Sequence, residues 1–305
     1  MSAAYLSLYQ SGELARRAEA AVSRLAACDL CPHICRVDRH AGSAGDIAAG
    51  AVCRTGRQAR VASVGPGFQE EPAIVGTRGS GDILFAWCNM RCAYCENADV
   101  SMQGAGEAMD AQALAEAMLS LQAQGCHNIN LVGPSHVVPQ ILEALVIATG
   151  RGLTLPLVFN SGGYDRAETV GLLDGVVDIY TPDIKYGDDM AARRYSKVRD
   201  YVAVNREALA EMVRQVGPLR CGADGLAYRG VLIRHLLLPR DIGNVTRALD
   251  AVRDLAGAGM TVSLLDTYHP AHQADRMPDL REPVPPELAG TARAYAERLG
   301  LVPLA

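Results

Sequence analysis

Residues 81–95 read GDILFAWCNMRCAYC, and this stretch decides how the rest of the chain is interpreted. Its apolar part, 83–87, has the length and composition of a buried β-strand. Three cysteines follow at once, with three and then two residues between them: Cys88, Cys92 and Cys95. Because cysteine thiolates bind the irons of iron-sulfur clusters, such a loop can hold three corners of a cubane. The stretch predicts a strand that ends at a [4Fe-4S] site, against the alternatives of a zinc site or a chance set completed by Cys126.

Five more apolar, β-prone runs follow, and helical segments separate most of them. The runs cover residues 129–132, 155–159, 176–180, 231–238 and 261–265. Repeated βα units with buried strands predict a parallel sheet. Six units can form a doubly wound sheet or an incomplete barrel, and periodicity alone does not separate the two.

Polar residues recur where these predicted strands end. They are Gly133, Pro134, Ser135 and His136 after the second strand, Asn160 after the third, and Asp183 and Lys185 after the fourth. Barrels and open α/β sheets place their sites at the carboxyl ends of their strands. We therefore expect these residues to line one site together with the cysteine loop.

Composition and charge narrow the class of protein. The chain has 305 residues, of which 49% are hydrophobic and 21% charged, as in a folded enzyme. The net charge is -5, and the basic residues are spread among acidic ones. The sequence therefore has no basic cluster that would bind nucleic acid or an anionic membrane. The first residues lack the pattern of a signal peptide, and no apolar run is long enough to span a bilayer. We expect a cytoplasmic protein with neither nucleic acid nor membrane as a partner.

A second group of cysteines lies upstream of the loop. Its members are Cys28, Cys31, Cys35 and Cys53. The cytoplasm keeps thiols reduced, so metal ligation is a better explanation than disulfides. Four thiolates suit structural zinc and an auxiliary [4Fe-4S] cluster equally, and free thiols are the alternative.

Three segments follow from these patterns. Residues 1–81 are predicted to form an N-terminal helix and a Cys-rich metal-binding module, because 28–81 are rich in Gly, Pro and Cys with little periodicity. Residues 82–275 hold the βα units, and residues 276–305 form a helical tail.

The motif CxxxCxxC after a first strand resembles the signature of the radical S-adenosylmethionine (SAM) superfamily. Longer segments resemble the PflX-like homologues of pyruvate formate-lyase activating enzyme: GTRGSGDILFAWCNMRCAYCEN (76–97), NINLVGPSHVVPQILEAL (128–145), LPLVFNSGGYDRAETVGLLDGVVDIYTPDIKY (155–186) and RGVLIRHLLLP (229–239). The resemblance covers about residues 28–275. It implies a partial (β/α)6 barrel, a [4Fe-4S] cluster with one iron free of protein thiolate, and SAM as cofactor.

The resemblance also implies roles for single residues. Asp183 and Lys185 match an Asp-x-Lys element beside SAM, and His235 matches a His that approaches SAM, although a histidine ending an apolar strand is also a common core residue. Residues 133–136 take the place of a Gly-Gly-Glu turn that contacts the SAM amino group, and this element is absent here. Asn160 stands where relatives have an acid near a cation.

The resemblance further implies an oxidoreductase-type enzyme that cleaves SAM reductively to a 5′-deoxyadenosyl radical. Its substrate is unassigned: a small molecule, a peptide, or a protein glycine if the chain is a glycyl-radical-enzyme activase. A reductant such as flavodoxin or ferredoxin is an expected partner. A non-catalytic iron-sulfur or zinc protein is the remaining alternative, and it does not need six βα units with polar strand ends.

Two further groups have both functional and ordinary explanations. Glu70 and Glu71 face either a substrate or solvent at a turn before Pro72. Tyr268, His269 and His272 follow the last predicted strand. They contact substrate, or the two histidines bind a metal, or the segment is a surface loop.

Overall fold

The computed structural model describes residues 3–40 and 47–304. Its strands are β1 (Ala59–Gly67), β2 (Ser80–Phe85), β3 (Glu107–Met109), β4 (Ile129–Val132), β5 (Leu157–Asn160), β6 (Ile179–Tyr180), β7 (Arg220–Cys221), β8 (Ala227–Leu236), β9 (Thr261–Leu265) and β10 (Val302–Pro303). Its α-helices are α1 (Tyr5–Gln10), α2 (Glu13–Ser23), α3 (Pro72–Val75), α4 (Ala98–Gln103), α5 (Ala111–Ala123), α6 (Val138–Gly150), α7 (Ala167–Gly171), α8 (Asp189–Ser196), α9 (Tyr201–Val216), α10 (Val245–Ala256) and α11 (Pro286–Arg298).

The sheet runs in the order β10-β9-β8-β6-β5-β4-β2-β1-β3. From β2 to β9 the neighbouring strands are parallel and follow the order of the chain. A doubly wound sheet reverses its strand order at a switch point, and this sheet does not. The strands that flank the parallel part are β10, which is parallel to β9, and β1 and β3, which are antiparallel.

One face of the sheet carries the helices. Side chains that alternate along the strands, such as Leu131, Phe159 and Ile233, are fully or almost fully buried in a core with residues of α5, α6, α9, α10 and α11. Helix α5 shows how the sequence produces this packing. The Asp110 carboxylate accepts the Ala113 N–H at 2.8 Å and caps the helix, and the apolar residues of α5 then face the sheet.

The opposite face forms the interior of an incomplete barrel. Val158, Ile179 and Leu232 point inward, where Ile74 of the short helix α3 packs against them. Helices on one face and a filled interior on the other are the arrangement of a β/α barrel. The predicted fold class, α/β with a parallel partial barrel, is confirmed.

All six predicted strands are present, with shifted ends. The first ends at Phe85 rather than at residue 87, because the chain turns at Trp87, whose φ is 65°. The fourth is only Ile179–Tyr180. Its predicted start lies in a turn, where the N–H groups of Val176 and Val177 donate to the Leu173 carbonyl at 2.8 and 3.2 Å.

The predicted N-terminal module is closely joined to the sheet. Strand β1 lies within residues 1–81 and pairs with β2 from Val61 to Gly67. Helix α3 of the same segment fills the barrel interior. At the other end of the chain, β10 extends the sheet by pairing with β9. Among the helices described, none is long and apolar enough to cross a membrane.

The position of Ile74 generates a stability prediction. Its side chain is 1% exposed, so Ile74→Ala should lower the free energy of unfolding by about 2–5 kcal/mol through lost burial and a new cavity. Val302→Ala, at a site 49% exposed, should change it by less than about 0.5 kcal/mol. Urea denaturation measures both. A loss below about 1 kcal/mol for Ile74→Ala would contradict the inward placement of α3.

Candidate functional site

The cysteine loop follows β2 directly and is fixed by backbone hydrogen bonds. The Ala93 N–H donates to the Tyr195 carbonyl at 2.7 Å, and the Ala93 carbonyl accepts the Gln273 N–H at 2.9 Å. The Asn89 amide donates to the Tyr164 carbonyl at 2.6 Å. The loop is therefore tied to α8, to the segment after β9 and to the segment after β5.

Each sulfur of the loop has a hydrogen-bonding neighbour. The Met90 N–H lies 3.3 Å from the Cys88 sulfur, the Ser196 hydroxyl 3.0 Å from that of Cys92, and the Ser101 hydroxyl 3.2 Å from that of Cys95. Donors of this kind stabilise thiolates and tune the potential of a bound cluster.

Burial opposes ionisation of the Cys88 and Cys92 thiols while they bind no metal. It raises the pKa of Cys88 to about 12 and also raises that of Cys92. The Lys185 ammonium acts on both thiols in the opposite direction. Since a metal binds the thiolate, ligation at this loop releases protons and supplies the positive charge that keeps the sulfurs ionised.

Strand ends gather around the loop. A cavity of about 240 Å³ contains all three cysteines, and four of the predicted site residues also line it: Gly133, Asn160, Asp183 and Lys185. The cause is the parallel sheet, which brings the carboxyl ends of β2, β4, β5 and β6 to one edge. The structure thus assembles these seven residues, although they are spread over almost 100 positions of the sequence.

Asp183 and Lys185 form an ion pair inside this cavity. Burial disfavours the ammonium, yet the Asp183 carboxylate and the Cys92 thiol raise the pKa of Lys185 above its ordinary value. The Asn205 amide donates to the Asp183 carbonyl at 3.0 Å, and the Lys185 N–H donates to the Tyr201 hydroxyl at 2.8 Å. The pair is held rigidly, with its positive member near the sulfurs.

The remaining predicted SAM contacts do not line this cavity. Pro134, Ser135 and His136 lie in the same turn as Gly133, but Ser135 bonds the buried Asp165. His136 donates from Nε2 to the Ala86 carbonyl at 3.0 Å.

His235 is on the other side of the sheet, in a small apolar pocket between β8 and α10. Its Nδ1 lies 2.5 Å from the Ile184 carbonyl, so it is the donor. The structure does not bring His235 to the cysteine loop.

The four upstream cysteines are neighbours. Cys28, Cys31 and Cys53 are buried and Cys35 is half-buried. Burial, followed by the neighbouring thiols of Cys53, Cys28 and Cys35, raises the pKa of Cys31.

Arg39 connects this group to the barrel. It is fully buried, contacts the Cys28 sulfur at 3.6 Å, and donates to the carbonyls of His136 and Gly56 at 2.9 and 3.3 Å. A buried guanidinium near the sulfurs of Cys28, Cys31 and Cys53 favours negative charge at this place.

Within residues 3–40 and 47–304, no three or more side chains of His, Cys, Asp or Glu are arranged as a ready-made metal site. Metal binding by either cysteine group therefore requires side chains to rotate toward a common centre.

Sequence reasoning missed Arg234. This residue points into the barrel from β8 with its side chain 8% exposed, and its guanidinium forms ion pairs with Glu70 and Glu71. Glu70 also accepts a hydrogen bond of 3.1 Å from the Asn160 amide. The only sequence signal for Arg234 itself is that it is one arginine inside an apolar strand. Glu70 and Glu71 thus face the barrel interior rather than a solvated turn.

The candidates after β9 divide into two groups. The Tyr268 hydroxyl donates to the Leu280 carbonyl at 2.5 Å, and the ring packs edge-on against Tyr94. Because Tyr94 belongs to the cysteine loop, Tyr268 supports that loop by packing. His269 and His272 are exposed, and His269 lines a second cavity beside β9.

No family model matches the chain. An uncharacterized protein of Methanocaldococcus jannaschii is 25% identical over 281 residues, which cover 90% of this chain and 75% of that protein.

Solved structures with similar folds include a radical SAM methyltransferase from Sphaerobacter thermophilus, with a TM-score of 0.49 and 15% identity over 73% of this chain. The maturase HydG has a TM-score of 0.48 and 11% identity over 75% of this chain. Methylornithine synthase has a TM-score of 0.48 and 14% identity over 73%. The matches span 65%, 52% and 63% of those three chains, respectively.

The burial of His136 generates a pH prediction. Burial, then the nearby Arg39 charge, lowers its pKa to about 3, whereas the unfolded chain has a value of about 6.5. Between these values the unfolded form binds the extra proton, so stability falls as the pH falls through this window. His136→Gln keeps an N–H donor without titrating. Relative to this variant, the wild type should lose about 1.4 kcal/mol per pH unit between pH 6 and 4. Urea titrations at several pH values measure this, and parallel stability curves would contradict it.

Proposed function

We propose that this protein is a radical SAM enzyme, in which Cys88, Cys92 and Cys95 hold a [4Fe-4S] cluster and the adjoining strand ends bind SAM. The observation that carries the proposal is the composition of the 240 Å³ cavity. It contains three cysteines on one loop and polar groups from three further strand ends, and its lining has no fourth cysteine. Three thiolates leave one iron of a cubane open to a chelating ligand.

The donor set fits such a cluster. Each sulfur has a hydrogen-bonding neighbour, and Lys185 adds a positive charge near Cys88 and Cys92. A structural zinc site is usually closed by a fourth cysteine or a histidine, and neither lines this cavity. When bound, the reduced cluster supplies an electron that splits SAM into methionine and a 5′-deoxyadenosyl radical.

The chain's own residues would position SAM and exclude water. Gly133, with a φ of 70°, exposes backbone at the end of β4 without a side chain in the way. Asp183 and Lys185 form a fixed pair that can accept from and donate to the cofactor. Asn160 joins this cavity to the Glu70–Arg234 cluster. In this proposal the residues that contact SAM are Gly133, Asn160, Asp183 and Lys185. The other expected contacts lie behind the cavity lining and support it: Pro134, Ser135, His136 and His235.

We further propose that Cys28, Cys31, Cys35 and Cys53 bind a metal, as zinc or as a second [4Fe-4S] cluster. The four thiols lie close together, and the buried Arg39 guanidinium offsets part of the cost of ionising them. Two contacts place this group next to the cysteine loop. His33 is 2.7 Å from the Asn89 carbonyl, and the Arg91 guanidinium donates to the Val52 carbonyl. The catalytic cycle also requires a one-electron reductant such as flavodoxin or ferredoxin.

Replacement of a loop cysteine tests the catalytic proposal. After anaerobic reconstitution and reduction, the wild type should convert SAM to 5′-deoxyadenosine, and Cys92→Ala should reduce this rate at least about 100-fold because the cluster loses a ligand. Cys221→Ala changes an exposed cysteine far from the cavity and should keep the wild-type rate. Chromatography of the products measures this. A fully iron-loaded wild type that forms no 5′-deoxyadenosine would refute the proposal.

Metal counting tests the upstream site. With one catalytic cluster, reconstituted protein should hold about four irons per chain, and zinc in addition if the upstream group binds zinc. About eight irons would identify a second cluster. In either case, Cys31→Ala should remove only the upstream metal. Wild-type protein with four irons and no zinc would contradict a metal at this group.

A further inference from the structure

A second cavity, of about 800 Å³, adjoins the cysteine cavity. The two share Glu96 and Asn97, the residues that follow Cys95. Its walls come from the segment before α3, from the ends of β8 and β9, and from α11. Pockets of 300–1,000 Å³ are typical of small-molecule sites. A molecule in this cavity would lie beside the loop on which radical chemistry is proposed.

The cavity lining is short of positive charge. Four carboxylates line it, from Glu70, Glu71, Glu96 and Asp266, against the guanidinium groups of Arg234 and Arg293. Arg234 is already bound by Glu70 and Glu71. In the part of the chain that the structure describes, neither Glu96 nor Asp266, both exposed, forms an ion pair, and Arg293 donates only to the Leu304 carbonyl.

The deep end of the cavity holds two carboxylates and one guanidinium. Glu70 and Glu71 share the single charge of Arg234, with side-chain exposures of 19% and 9%. Burial raises the pKa of Glu70, whereas for Glu71 the Arg234 guanidinium outweighs burial and lowers the pKa, so Glu70 is the less compensated of the two. Buried carboxylates without a matching cation are costly, so a ligand that brings one would be stabilised.

An unpaired acceptor one layer deeper supports the same conclusion. Asn130 is fully buried and points inward, since its neighbours Ile129 and Leu131 belong to the helix-side core. Its amide donates to Asp82 at 3.0 Å, while its Oδ1 has no donor among the described residues. The Asp82 carboxylate adds to the rise in the pKa of Glu70 that burial causes. This acceptor lies behind the cavity rather than in its lining, so it adds an unsatisfied acceptor near Glu70 without contacting a ligand in the cavity.

We propose that this cavity binds the substrate, and that the substrate is a small polar molecule carrying a cationic amine, with Glu96 and Asp266 as its carboxylate partners. This inference rests on the proposed radical SAM function. An ammonium group brings the missing charge and several N–H donors at once. A backbone glycine of a protein partner carries no such charge, so the cavity favours a small-molecule substrate over the activase alternative.

Binding to three probes of equal length tests the inference: 1,5-diaminopentane, 1,5-pentanediol and glutarate. They differ in charge and share a five-carbon chain. Isothermal titration of the purified full chain, without added SAM, should show binding of 1,5-diaminopentane alone. Glu96→Gln and Asp266→Asn together should weaken it about tenfold, because two charge partners are lost. Glu19→Gln and Asp254→Asn, at exposed positions on α2 and α10, should leave it unchanged.

Four outcomes would overturn the inference: equal binding of the three probes, preference for glutarate, no binding, or binding that ignores the paired substitution. The result is independent of SAM cleavage. A protein that forms 5′-deoxyadenosine without preferring the diamine contradicts only this inference. One that prefers the diamine but forms no 5′-deoxyadenosine contradicts the proposed function.

Discussion

Parallel pairing of six strands that are neighbours in the sheet, β2, β4, β5, β6, β8 and β9, is the constraint on which the rest of the structure depends. It sends every carboxyl end to one edge, and the helices that cover one face leave the other as an enclosed interior. Cys88, Gly133, Asn160 and Asp183 therefore meet, although each belongs to a different βα unit. The site does not need a dedicated domain, because the order of the strands already assembles it.

The interior is polar where function requires it and apolar where stability requires it. At its lower end, Ile74 packs against three inward aliphatic residues. Above that level the inward positions carry ionic side chains, including Arg234 with Glu70 and Glu71. Burying two carboxylates with one guanidinium costs free energy unless a further cation is present. This cost explains why the same region is a good candidate for substrate binding.

Local patterns predicted the strands and the cysteine loop, because apolar runs and ligand spacing are properties of adjacent residues. The cluster around Arg234 was not predictable in this way, since Glu71 lies 163 positions away in sequence. His235 shows the related difficulty. The family resemblance suggested a cofactor contact, but the period of two along β8 sends Arg234 inward and His235 toward α10. These two neighbours differ only in the face of the sheet to which their side chains point.

The most direct test of the central claim is the electron paramagnetic resonance spectrum of the reduced, reconstituted protein with and without SAM. Binding of SAM to an open iron changes the electronic environment of the cluster. The account predicts a cluster signal that requires Cys88, Cys92 and Cys95 and that shifts when SAM is added. A signal that SAM leaves unchanged, or one that persists undiminished without these three cysteines, would contradict it.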